Sequence, residues 1–175
     1  MNAVTQQPDN LNFLYPQQAR FVLKRAPNLT FFTQSISQPG MTLGEWDQNN
    51  PFVKIPLPGN QITYEPFTMR FRIDEDMKNY LEIHDWMIKI GFPDDFTQSG
   101  FRAPPGGANL VEDNIHSDGT LMIMTSAMNP NIEVTFIDMF PISLAGLEFD
   151  TQVTDSLPLD STVTFSYRKF SLRTV

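Results

Sequence analysis

His84 and His116 are the only two histidines in the 175-residue chain. Imidazoles in that number could serve as a general base or as part of a metal site. Neither stands in an H-x-H or H-E-x-x-H spacing, the arrangement that puts two imidazoles on one ion. His84 falls three residues after Leu81 and four before Ile88, so on a helix it borders the packed stripe. That is its expected role. His116 lies in a loop with Asp113, Asn114, Asp118 and Gly119 nearby. A calcium loop needs D-x-[DN]-x-[DN]-G and a downstream Glu. The spacing here is wrong for that, and a turn is expected.

Glu75, Asp76, Glu82 and Asp85 could be cast as paired catalytic carboxylates. The better reading is a capped helix with a solvated acidic face. Gly106-Gly107 lacks the Lys and Ser/Thr of a phosphate cradle. No G-x-S-x-G elbow or dinucleotide fingerprint occurs, and the chain has no cysteine. The expectation is therefore a protein without catalytic residues, metal ligands or cofactor.

The charge balance is 12 Lys plus Arg against 20 Asp plus Glu, or −8 at neutral pH. No basic cluster appears, which argues against tight nucleic-acid binding. A wall that DNA must slide past is a different case, since net negative charge prevents sticking. No apolar run approaches the roughly 18 residues that would suggest a membrane span, so no membrane insertion is expected. Residues 1–18 are polar, broken by Pro8 and Pro16, and read as an N-terminal arm without a signal peptide. Residues 19–175 read as one domain.

Within that domain, a short strand spans Arg20 to Lys24. Leu29 to Ile36 is a second, expected to pair with the first as a hairpin. Met41 to Pro51 reads as a loop carrying Trp46. Phe52 to Leu57 reads as an edge strand confined by Pro56 and Pro58, with a turn at Pro58-Gly59-Asn60. Ile62 to Ile73 is the clearest strand. Phe67, Met69, Phe71 and Ile73 alternate with Thr68, Arg70 and Arg72. The phase changes at Glu65-Pro66, where a bulge or kink is expected.

One helix follows, over 75–90. Asp74 is its expected N-cap, with Leu81 and Ile88 on the packed stripe and Gly91 and Pro93 as the stop. Asp94 to Ser117 is a long Pro/Gly-rich loop centred on Pro104-Pro105-Gly106-Gly107. Gly119 to Ser126 and Asn131 to Met139 form a hairpin around Asn129-Pro130, ended by Phe140-Pro141. Ser161 to Arg173 is a last strand with a bulge near Arg168. About seven strands and one helix make this a mainly β fold, a barrel or sandwich with a single packed α-helix.

The order of these elements carries a resemblance. An early ARFVLKRAPNLTFFTQSISQPG leads to PFVKIPLPG, and then to YEPFTMRFRIDEDMKNYLEIHDWM. NIEVTFIDMFPISLAGLEF and a closing STVTFSY complete the series. Over about residues 19–173 this is similar to the tail-tube family of contractile-tailed phages, related in fold to the tube protein of type VI secretion.

The resemblance implies a non-enzymatic virion protein of the phage tail, assembled in the bacterial host cytoplasm. Six copies would close a ring, possibly stacked, beneath the tail sheath. Neighbouring tail, baseplate or neck proteins would abut it, and genome DNA would pass its lumen without specific binding. The family's inter-ring loop maps onto Gln38 to Pro58, giving Gln38, Pro39, Gly40, Met41, Trp46 and Phe52 as contact residues. Pro104, Pro105, Gly106 and Gly107 are expected to meet an adjacent ring. A specialised tube-end ring, either a baseplate initiator or a neck completion protein, is the alternative. A receptor- or carbohydrate-binding sandwich using Trp46, Phe52, Phe92, Phe96 and Phe101 is a third reading.

Overall fold

The computed structural model describes residues 11–91, 93, 115–150, 152 and 157–175. Nine strands and two helices occur among them. They are β1 (Ala19–Leu23), α1 (Pro27–Phe31), β2 (Thr33–Ser37), β3 (Met41–Gln48), β4 (Ile55–Tyr64) and β5 (Phe67–Arg72). Then come α2 (Lys78–Gly91), β6 (Ser117–Met124), β7 (Pro130–Leu144), β8 (Asp160–Ser166) and β9 (Lys169–Thr174). Seven strands form one antiparallel sheet in the order β1-β6-β7-β8-β5-β2, with β9 pairing β7 off that path. β3 and β4 form a separate two-stranded ribbon.

The fifteen residues of β7 hold the fold together. Its first part pairs with β6 and β9, while Phe140 to Leu144 pairs with β8. The strand thus crosses from one layer of the barrel to the other, and Phe140-Pro141 lies inside it and does not end it. A register shift between Pro141 and Ser143 accommodates the crossing. The last strand corners in the same way. It is two strands, β8 and β9, because the chain leaves one layer at Tyr167-Arg168, and the Arg168 N–H donates to the Ile137 carbonyl at 3.0 Å. The change of apolar phase near Arg168 reflects that corner.

Alternation on β5 and β8 fills the barrel. Phe67 faces Phe165 and Met69 faces Val163 across the ladder, and all four are buried. From the other layer, Phe21, Leu121, Val134 and Phe136 meet them. Ring centroids lie 4.8 Å apart for Phe21–Phe67 and 4.9 Å for Phe67–Phe136. Each buried side chain of this size contributes about 1.5–3 kcal/mol. Ile73, expected on the same face, is only half-buried.

Several expectations need correction. Leu29 to Ile36 is not one strand. Pro27 fits the first helical position, and the Thr30 and Thr33 hydroxyls donate back to the Ala26 and Leu29 carbonyls, so a short helix precedes β2. β1 and β2 are then not a hairpin, and each pairs elsewhere, with β6 and β5. Ile62 to Ile73 is split at Glu65-Pro66 into β4 and β5, which belong to different sheets.

The long helix starts at Lys78, not 75. Asp74 to Met77 make a turn, with the Met77 N–H on the Asp74 carbonyl at 2.9 Å and Met77 at φ 56°. Buried Asn79 then donates from Nδ2 to the Arg72 carbonyl at 2.7 Å, tying the helix start to the end of β5. This sets the helix rotation. Asn79, Ile83 and Trp86 face inward, and Leu81 is 46% exposed. Trp86 packs on Phe165 at 6.1 Å and donates from Nε1 to the Ile115 carbonyl at 2.9 Å. The Arg25 guanidinium lies over the ring, 4.9 Å from its centre.

Candidate assembly interface

β3 and β4 stand apart from the core. Every residue of β3 is exposed, and neither strand contributes a side chain to the buried cluster. Met41 to Pro51 is therefore mostly strand, not loop. Met41 and Leu43 begin an alternation that was the available signal, and Glu45-Trp46, in the opposite phase, concealed it. β4 is also longer than its sequence suggested, because Pro56 and Pro58 sit within it. Pro58-Gly59-Asn60 is no turn. It lies where the ladder slips between Leu43 and Glu45.

Cross-strand partners share a face. Leu43 lies opposite Ile62 and Trp46 opposite Leu57. Both faces of the ribbon therefore carry apolar side chains in water. Trp46 is 56% exposed and Phe52, in the connection between the strands, 93%. An isolated two-stranded hairpin is marginal in water. Scattered exposed apolar residues are ordinary, but a contiguous set marks an interaction surface.

The base of the ribbon is fixed. The Glu65 N–H donates to the Gly40 carbonyl at 3.0 Å, and the Gly40 N–H to Glu65 Oε2 at 3.2 Å. Tyr64 packs on Phe170 at 5.2 Å and on Tyr167 at 6.0 Å. The Tyr167 hydroxyl donates to the Glu65 carbonyl at 2.7 Å. Burial, with smaller contributions from Tyr64 and Glu65, pushes the Tyr167 phenol up from its ordinary value to about 12. The ribbon thus projects from a rigid corner of the barrel.

Of the residues singled out in the sequence, Gln38, Pro39 and Gly40 form the entry to the ribbon, with Pro39 buried. Met41 and Trp46 lie on β3 and Phe52 at the tip. Pro104, Pro105, Gly106 and Gly107 lie outside the described residues, as do Phe92, Phe96, Phe101, Asp113, Asn114 and the first ten residues of the arm. Sequence reasoning missed Ile55, Leu57 and Ile62 on β4. It also described the arm as polar, although Leu11, Phe13, Leu14 and Tyr15 are a run of exposed apolar side chains with Phe13 at 81%. The segment LNFLY carried that signal.

The groups that could have done chemistry are dispersed. His84 Nδ1 is 3.5 Å from Asp85 Oδ1 on an exposed helix face. Asp76 is held by Lys78 at 2.6 Å, which keeps its carboxyl below the usual value. Glu82 Oε1 accepts from Asn28 Nδ2 at 2.7 Å, and His116 stacks edge-on against Phe140. Among the described residues, no group of three His, Asp or Glu could hold a metal ion.

No protein-family model matches the chain, and no curated protein matches it. Solved structures share its fold. A chain of the PVC sheath/tube terminator of an extracellular contractile injection system, in the extended state, superposes with a TM-score of 0.62 and 15% identity. That match covers 94% of this chain and 99% of that one. The anti-feeding prophage cap, a tube terminating cap, matches at 0.60 and 14% identity over 99% and 100%. A chain of the PVC sheath-tube complex matches at 0.55 and 12% identity over 100% and 99%. The resemblance drawn from the order of elements holds at the level of fold. This is the mainly β fold found in tube, cap and terminator assemblies of contractile injection systems.

Proposed function

We propose that this chain, which carries the tail-tube fold, is a structural subunit that closes with copies of itself into a homo-hexameric ring of a contractile tail. The observation that carries this reading is the β3–β4 ribbon. It is a preformed, rigidly based, two-faced apolar element that, among the described residues, packs on its own subunit's core only through Tyr64 at its base. A neighbouring copy in the ring, or in the ring stacked on it, would bury Trp46, Leu57 and Phe52. Tail sheath and baseplate or neck proteins are the further partners that this role implies. A ring at the end of the tube is the second reading, supported by the fold shared with the cap and terminator chains.

The outer face of β5 and β8 suits the wall of a conduit for DNA. Thr68 lies opposite Thr164, Arg70 opposite Thr162 and Arg72 opposite Asp160. Both arginines on it are held by one carboxylate, Arg70 Nη2 at 2.8 Å from Asp160 Oδ2 and Arg72 Nε at 3.2 Å from Asp160 Oδ1. Short hydroxyl side chains and neutralised cations give phosphate little to hold.

Light scattering on the eluting protein over a range of concentrations tests the ring. A mass at six times 20.0 kDa, or multiples of it, is expected. A constant monomer mass would refute the assignment.

A further inference from the structure

The barrel is not closed. Its seven-stranded sheet begins at β1 and ends at β2, and a groove of 570 Å³ lies between those two edges. Ala19 and Phe21 line one wall and Gln34 and Ile36 the other, while Thr30 and Phe31 of α1 close one end. We infer that this open seam is the socket for β3 of a second copy of the chain, which adds there as a strand. The inference rests on the ring reading and names the surface that receives the ribbon.

The hydrogen-bond phase of β1 supports it. The Met124 N–H donates to the Gln18 carbonyl at 2.8 Å, in the same register that sets Arg20 against Met122 and Val22 against Thr120. Residues 18, 20 and 22 therefore bond toward β6, and residues 19, 21 and 23 point the other way. The Leu23 N–H indeed turns to the Thr30 hydroxyl of α1, at 3.2 Å. The N–H and C=O of Ala19 and Phe21 are thus aimed into the groove. An edge presenting such groups is a template for another strand.

β3 fits as the guest. It is already extended, so little ordering entropy opposes its docking. Its eight residues contain no proline, whereas Pro56 and Pro58 blunt the outer edge of β4. Glu45 lies on β3, and Arg20 lines the groove. Neither forms an ion pair among the described residues, so the two are complementary. Phe31, 83% exposed at the groove, would pack on the incoming strand. The apolar arm segment 11–15 has no strand conformation and would have to be ordered first.

The full chain has no natural cysteine, which makes the test clean. Protein carrying Gln34→Cys is mixed and assembled with protein carrying Thr42→Cys or Gln48→Cys, the two ends of β3, and then oxidised. Light scattering on the same samples reports whether rings form. Rings with a disulfide-linked dimer for one of the two pairs are the expected result. Rings of normal mass with no such dimer, or with a dimer only when Phe13→Cys replaces the β3 variants, would overturn the socket and leave the ring standing. Absence of rings from the unmodified protein would remove the ring reading, and the socket with it. Independently, Ala19→Pro removes an N–H aimed into the groove and none of those aimed at β6. It should raise the concentration for half-assembly at least tenfold without moving the monomer's unfolding midpoint. Unchanged assembly of that variant would also contradict the socket.

Discussion

A β-carbon placed on Gly59 would stand 2.6 Å from the carbonyl oxygen of Gly44. The two strands of the ribbon touch backbone to backbone there, at the slip in their register. Only glycine permits that approach. Gly59→Ala should deform the ribbon without reaching the barrel core. The monomer's melting temperature should hardly move, as for a surface change worth under about 0.5 kcal/mol. Ring assembly should weaken about tenfold or more, a change of about 1.4 kcal/mol. Differential scanning calorimetry and light scattering on the same sample check both halves.

The core invites a second substitution. Phe136 sits 4.9 Å from Phe67, 5.1 Å from Tyr167 and 5.9 Å from Phe170. Phe136→Ala should cost about 3–5 kcal/mol of folding stability, read from urea unfolding. A loss below about 1 kcal/mol would mean that the layers can collapse onto the space.

Much of this core was legible in the sequence. Strict alternation in Phe67 to Arg72 and in the closing STVTFSY specifies one buried face, and the hairpin at Asn129-Pro130 is local turn chemistry. What was not legible depends on partners distant in sequence. The phase changes at Glu65-Pro66 and Arg168 were visible, but whether a strand bulges or crosses is decided by its partners, β3 against β2 and β8 at the first and β7 at the second. α2 was placed, yet its inward face was misjudged at Leu81. A single buried hydrogen bond from Asn79 to the Arg72 carbonyl sets the rotation, and a polar residue gives no hint of that. The ribbon was located by Trp46 and Phe52, but prolines in β4 and the phase change at Glu45-Trp46 in β3 disguised it as loop and turn.

Tyr167 makes stability depend on pH at the alkaline end. Its folded-state value lies near 12, above the ordinary phenol value of about 10. The unfolded chain therefore loses this proton first. The Tyr167 contribution is fully present below about pH 10 and is lost as pH rises toward 12. Tyr167→Phe should flatten that part of the profile. It should also cost about 1–3 kcal/mol at neutral pH by leaving the Glu65 carbonyl without its donor. Urea midpoints of the two proteins between pH 8 and about 12 give both results.

Asp160 holds two arginines at once. Asp160→Ala frees Arg70 and Arg72 on the face assigned to the conduit wall. The unmodified assembly should not shift duplex DNA in a gel at low salt. The variant should shift it, and the shift should fade as salt rises, since each freed cation adds counterion release. DNA retention by the unmodified assembly would contradict the wall.

The central claim is that these subunits close into rings, and images of the purified full chain test it most directly. Negative-stain electron microscopy should show six-fold rings with an open centre, singly or stacked into short tubes. Fields of separate globular particles at every concentration would contradict the account. They would mean that the exposed ribbon, with Trp46 and Phe52 on it, serves some purpose other than joining copies of this chain.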